Sequence, residues 1–367
     1  MTSSVFVFDP TVGDVQSKVR GVGRYLQILR EKFSSEWTFV SDLTSIPHDS
    51  TFINPFFNLL SPAISHKRLA KRQIAVIHDL IPLKYPEHFP IGLRGKLNAY
   101  LNKRALKNYD HIVTDSEASK KDIVDMLHID EKHISVIYPV LPKIFIDNQN
   151  TKTVIDESLP SKYCLYVGDA TWNKNLVTLA RAIKEINVTC VFVGKVFEIL
   201  RGEIKNLSES QLSEQAMSER VDLEENFLSR QLTHPWQQEL KNFLIETKDD
   251  KRFIFKGFVP DEKLIQLYKQ SRVNILSSRD EGFGFSYLEA ASQGTPSVLS
   301  DIPVFREISG GKGALFVQPN DVSSLANTIG ELYFRNGKRD ESAIEAFQQS
   351  KKFINHSFKT NWKLAIS

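Results

Sequence analysis

Ser277-Ser-Arg-Asp-Glu-Gly-Phe-Gly-Phe-Ser-Tyr-Leu-Glu-Ala-Ala-Ser-Gln-Gly-Thr-Pro296 follows the short apolar run Val273 to Leu276 and leads into a second, Pro296 to Leu299. Gly282 and Gly284 mark a turn, and the residues after them repeat apolar side chains at helical spacing until Gly294 stops the pattern. A strand, a glycine turn, a helix and another strand form the repeating unit of a parallel sheet, whose strands need a crossover connection.

The same rhythm extends through the chain. Before the polar segment 147–161 the apolar runs are Val5 to Phe8, Thr38 to Val40, Thr51 to Ile53, Ile74 to Ile77, His111 to Thr114 and Ile134 to Ile137. After it they are Tyr163 to Val167, Thr189 to Val193, Phe253 to Phe255, Val273 to Leu276, Pro296 to Leu299 and Gly313 to Phe316. The reading is α/β, with two doubly wound parallel sheets: a first domain over residues 1–150 and a second over 151–352. With 367 residues, 41% of them hydrophobic, the chain can bury two cores of ordinary size. Open parallel sheets bind ligands beyond the carboxyl ends of their strands, so two facing sheets predict an inter-domain cleft. One stretch, about 196–250, exceeds the usual crossover length. It predicts a helical insertion packed on the second domain, with an apolar face at Phe227, Leu228, Leu232, Trp236, Leu240, Phe243 and Leu244 interrupted by Pro235.

Composition narrows the function classes. The formal charge of +3 is too small for a dedicated nucleic-acid binder. The excess lies in residues 1–150, where 19 Lys and Arg face 16 Asp and Glu, against 28 of each in the rest. Cys164 and Cys190 each sit inside an apolar run, which points to neither a disulfide framework nor a metal cluster. No run reaches about 18 apolar residues, and Met1-Thr-Ser-Ser lacks the charged start of a leader, so a cytoplasmic protein is expected.

The chemistry belongs in the loops after strands. A helix starting behind Gly282-Phe-Gly284 offers unpaired amides and the positive end of its dipole to a phosphate oxygen. Glu281 and Glu289 flank that start on one loop-helix unit. Read alone, Glu289 would only solvate a helix and Glu281 cap one. The stretch as a whole resembles the E-x7-E motif of retaining glycosyltransferases of family 4, which have the GT-B fold. The resemblance extends to Gly21-Val-Gly-Arg-Tyr25, His78-Asp-Leu80, Tyr166-Val-Gly168 with Lys174-Asn-Leu176, Gly257-Phe-Val-Pro-Asp261, and Phe353 through Trp362.

That resemblance implies two Rossmann-like domains facing a cleft, with a last helix, about 353–367, crossing back to the first. It implies roles as well. Glu281 would hold hydroxyls of the donor sugar and Glu289 those of the ribose, both as acceptors. The amides of Phe283, Gly284 and Phe285 would face the sugar and diphosphate, and Gly168, Asn173 and Gly282 would line the donor. Lys174 would neutralise the leaving diphosphate. The family usually has Arg-Lys where this chain has Asn173-Lys174, so Arg279 or Arg24 becomes the candidate second cation. His78 would sit near the transferred sugar, and Gly23 would lie in a flexible loop over Gly21 to Tyr25. Val259 would present main-chain groups to the base, Asp261 would be the N-cap of the next helix, and Trp362 would anchor the last one.

No Asp-x-Asp occurs, which points to a transferase needing no metal cofactor. The expected reaction moves a hexose, mannose from GDP-mannose as the best match, with retention onto a glycan or lipid-linked glycan in bacterial surface polysaccharide synthesis. Arg94, Lys96, Lys103, Arg104 and Lys107 share one helical pattern without an intervening acid, and Lys67, Arg68, Lys71 and Arg72 form a second basic cluster. Arg24, Arg94, Lys103 and Arg104 are the candidates for the acceptor side or for peripheral contact with an anionic membrane. The alternatives are a sugar phosphorylase or nucleotide-sugar epimerase of the same fold, or a non-catalytic glycan-binding or scaffold relative.

Overall fold

The structure is a computed structural model that describes residues 4–12, 21–198, 234–354 and 357–367. It divides into two compact units. Met1–Asp147 groups with Glu281–Phe285 and Ser350–Ser367, and Asn148–Asp280 groups with Ser286–Gln349.

The first unit holds six parallel strands, β1 (Val5–Phe8), β2 (Thr38–Val40), β3 (Thr51–Asn54), β4 (Arg72–Val76), β5 (His111–Thr114) and β6 (Ile134–Val136). Their order is β2-β1-β3-β4-β5-β6. Successive side chains of a strand point to opposite faces, and β4 shows it. Ile74 and Val76 join a core with Tyr25, Leu29, Phe33, Phe358 and Trp362, while Ala75 joins Ile77, Leu106, Ile123 and Ile134 on the other face. Both faces are covered, as a parallel sheet requires.

The C-terminal helix Ser357–Ile366 belongs to this unit. Trp362 is fully buried, edge-on to Trp37 at 5.6 Å, and Phe358 lies 6.1 Å from Phe33. The Arg72 guanidinium donates to the Ala365 carbonyl at 2.8 Å, satisfying one of the helix's terminal acceptors.

The second unit holds β7 (Cys164–Val167), β8 (Cys190–Val193), β9 (Phe253–Gly257), β10 (Val273–Leu276), β11 (Ser297–Ser300) and β12 (Ala314–Val317), all parallel, in the order β12-β11-β10-β7-β8-β9. Cys164 and Cys190 are cross-strand neighbours, buried and unbridged, and burial pushes both thiols up.

Most of the expected insertion, including Phe227, Leu228 and Leu232, lies outside the described residues. Its described end is a turn, Pro235–Gln237, followed by the helix Gln238–Thr247. Leu240, Phe243 and Leu244 enter the core, with Phe243 5.0 Å from Phe192, and Trp236 stays exposed.

The division between units differs from the expected 150/151. Lys269 donates to the carbonyls of Asn148 and Thr151, which ties the start of the polar segment to the second unit, whereas Phe145 is buried in the first. The larger difference is the loop Glu281–Phe285, expected in the second domain. The Ser116 hydroxyl donates to the Gly282 carbonyl at 2.8 Å, and Phe283 packs edge-on to Phe353 at 6.1 Å, so this loop is part of the first unit.

Candidate active site

In the second sheet the chain runs outward from β7 through β8 to β9, then returns to β10 on the other side of β7. The loops leaving the carboxyl ends of β7 and β10 therefore separate at a topological switch point, where α/β sheets bind ligands. Hydrogen bonds knit the two loops together. The Asn175 side chain donates to the Ser277 carbonyl at 3.0 Å, and the Ser277 hydroxyl to the Lys174 carbonyl at 3.2 Å. The Arg279 amide donates to the Asn173 carbonyl at 2.7 Å.

Lys174 ends a single 3-10 turn, Trp172–Lys174, closed by Asn175 at φ 59°, a left-handed conformation that asparagine tolerates. The helix Leu176–Ile186 follows, and the buried Glu239 carboxylate accepts from its Val177 amide at 3.1 Å. Arg279 braces the same turn. Its guanidinium lies over the Trp172 ring at 4.9 Å and bonds the Trp172 carbonyl, the Asn320 side chain at 2.8 Å and Glu239 at 3.6 Å. Asn173, read from sequence as a donor contact and the site of a lost cation, is buried and bridges the loops. Its amide donates to the Asp280 carbonyl at 3.0 Å, and its oxygen accepts from Thr171 at 2.7 Å. Of the two candidate second cations, Arg279 is the one on the Lys174 turn. Arg24 belongs to the first unit, bonded to Gln27 at 3.0 Å and lying over Phe145 at 5.1 Å.

Around this switch point, Gly168 directly follows β7, where an added Cβ would lie 2.7 Å from the Tyr166 hydroxyl. Gly284 has φ 100°, open only to glycine at low cost, and the helix Phe285–Ser292 starts directly after it. Glu289 is buried in that helix and accepts from the Tyr268 hydroxyl at 3.1 Å. Val259 follows β9 and is buried. The next helix begins at Asp261 with Pro260 as its N-cap, so Asp261 is a first-turn residue rather than the expected cap. Its charge there still suits the helix dipole.

In the first unit, His78 lies just past β4. Its Nδ1 is 2.5 Å from the Asp115 carboxylate and its Nε2 3.0 Å from the Pro55 carbonyl. A carbonyl can only accept, so Nε2 carries a proton, while Nδ1 meets the Asp115 carboxylate. His78 is thus held in one orientation with both ring nitrogens engaged. Burial pulls its pKa down, but Asp115, Asp79 and the Pro55 carbonyl outweigh that, and the net shift is upward from 6.5. Because the folded-state value is raised, this stabilisation is complete below the unfolded pKa and is lost as pH rises through the folded one. The chain should lose stability on the alkaline side of about pH 6.5, and His78→Gln should flatten that limb of a Tm-against-pH curve.

The His78 carbonyl accepts from Ser119 at 2.9 Å, and Ser119 also reaches the Gly282 carbonyl at 3.3 Å. The stretch Gly21 to Tyr25, expected as a flexible loop, opens the helix Gly21–Phe33 with Gly23 buried. Tyr25, Leu26, Leu29 and Phe33 all enter the core, and that apolar periodicity outweighs the two glycines. Arg94, Lys103 and Arg104 lie exposed on the helix Leu93–Ala105. The second basic cluster is partly engaged, with Arg68 paired to Asp110 and Arg72 on the C-terminal helix.

Residues 147–350 match the family model described as glycosyl transferases group 1, and residues 5–141 match that of glycosyltransferase family 4. The chain belongs to the group 1 glycosyltransferases. This group 1 member is 28% identical over 261 residues to the O-antigen chain mannosyltransferase RfbU of Salmonella typhimurium, covering 71% of this chain and 61% of RfbU. It is 27% identical over 270 residues to the serotype-specific mannosyltransferase WbdA of Escherichia coli, covering 71% of this chain and 30% of WbdA. The match therefore spans 61% of RfbU's length and 30% of WbdA's. Among solved structures, Anabaena HepE in complex with UDP superposes with a TM-score of 0.64 at 15% identity, over 99% of this chain and 98% of HepE. The group 1 fold is GT-B, as the motifs implied. Sequence reasoning missed Asp115, Ser116 and Ser119. A signal was present, since Ser116 follows a strand and caps a helix by accepting from the Ser119 amide at 3.1 Å.

Proposed function

We propose that the chain transfers mannose from GDP-mannose to a glycan or lipid-linked glycan acceptor, with retention and without a metal, in bacterial surface polysaccharide synthesis. The observation that carries this reading is the Lys174 turn, locked at the switch point beside the loop that leads to Glu281 and Glu289. The mannosyltransferase names of RfbU and WbdA support the choice of sugar.

The reaction breaks the bond between the anomeric carbon and the diphosphate oxygen while the acceptor hydroxyl bonds the same carbon on the same face. The acceptor proton passes to a phosphate oxygen. Negative charge gathers on the leaving diphosphate, where Lys174 and the first amides of the helix Phe285–Ser292 act as preorganised donors. Glu281 accepts from hydroxyls of the sugar. Glu289, oriented by Tyr268, accepts from those of the ribose.

The test incubates purified protein with labelled GDP-mannose, a lipid-linked acceptor and EDTA, and reads the anomeric configuration of the product by NMR. An α-linked mannoside together with free GDP is expected. Turnover that needs inorganic phosphate and no sugar nucleotide would replace this reading with a phosphorylase.

A further inference from the structure

The helix Leu93–Ala105 turns two asparagines inward and leaves Leu93 and Leu97 exposed. Asn102 is buried and donates to the carbonyls of Leu59 at 3.1 Å and Ser61 at 2.7 Å, and Asn98 donates to that of Leu60 at 2.9 Å. Amide side chains thus hold this helix to the first unit. The opposite face carries Leu93, Leu97 and Tyr100, spaced by four and three residues as on a single helix face, and they are 86%, 57% and 58% exposed. Arg104 continues that row, and Lys96 and Lys103 flank it, all exposed. Between His88 and Tyr109 the sequence has five Lys and Arg and no Asp or Glu.

We propose that this outward face docks the protein on an anionic lipid surface. Three large apolar side chains set among cations are the composition of an interfacial helix: the apolar groups enter the acyl boundary while the cations stay with the headgroups. Tyrosine suits that boundary, with an apolar ring and a polar tip. Charge selects the occupant. A second copy of this face would bring like charges together without a carboxylate to pair them, whereas an anionic bilayer complements every cation on it.

The proposal stands on this helix alone, and its test contains no sugar nucleotide, so its failure leaves the transferase reading untouched. The full chain is sedimented with phosphatidylglycerol vesicles and, in parallel, with phosphatidylcholine vesicles. Binding to the anionic vesicles only, weakened by high salt, is expected. Leu97→Ser with Tyr100→Ser should reduce it at least tenfold, and Lys96→Gln with Lys103→Gln and Arg104→Gln about a hundredfold, at unchanged Tm. All five positions are exposed, so these variants are expected to fold. Absence of vesicle binding by the wild type, or equal binding by both variants, overturns the proposal. So does a concentration-dependent dimer in sedimentation equilibrium that the same substitutions abolish.

Discussion

Gly282→Ala is expected to cut sugar transfer by at least about a hundredfold while the protein stays folded. A Cβ at this position would lie 2.8 Å from the His78 carbonyl oxygen and 3.1 Å from the Asp79 Cβ, and the nearer of these is backbone that cannot swing away. The loop would have to shift, taking Glu281 with it and breaking the Ser116 bond to the Gly282 carbonyl. Overpacking of this kind costs about 1–3 kcal/mol of stability. A displacement of about 1 Å at a reacting centre can cost roughly a hundredfold in rate. The two effects differ enough to be separated: kcat should collapse while Tm falls by only a few degrees. A variant with normal kcat would show that the loop's seat on the first unit has no bearing on the chemistry.

Trp362→Ala should have the largest effect on stability, about 3–5 kcal/mol, because it empties the centre of the first unit's core. The indole is fully buried against Trp37 in the cluster with Tyr25, Phe33 and Phe358. At roughly 2–4 °C per kcal/mol for a unit of this size, the first unit's unfolding transition should drop by about 10 °C. Near-ultraviolet circular dichroism would follow it, and Trp362→Phe should recover most of the loss. An unchanged transition would mean that the last helix contributes little to the first unit.

The twelve strands among the described residues were legible because most are short, buried apolar runs bounded by turn residues, and their observed bounds lie within two residues of the reading. The strand-turn-helix context read for Lys174 and Glu289 is the one observed, with Lys174 in the turn before the helix Leu176–Ile186 and Glu289 in the helix Phe285–Ser292. What stayed hidden depends on side chains meeting across long sequence separations. Asn173 read as a missing cation because its partner, the Asp280 carbonyl, is 107 residues away. The hydroxyls of Ser116 and Ser119, which hold the Gly282 carbonyl, lie more than 160 residues from it. The Gly21–Phe33 helix was misread at its start because two glycines suggested a loop and the apolar spacing beyond them was not weighed. The Leu93–Ala105 helix was read for its charges alone, since only the fold reveals that Asn98 and Asn102 face the protein while Leu93 and Leu97 do not.

The central claim is that the Lys174 turn binds the diphosphate of a sugar nucleotide without a metal. Calorimetric titration of GDP, in EDTA, into the wild type and into Lys174→Ala tests it most directly. The account predicts metal-free binding by the wild type and a loss of at least about tenfold in the variant, as expected for a charged hydrogen bond of about 1.5–3 kcal/mol. Equal affinity in the two proteins, or wild-type binding only when a divalent cation is added, would contradict it.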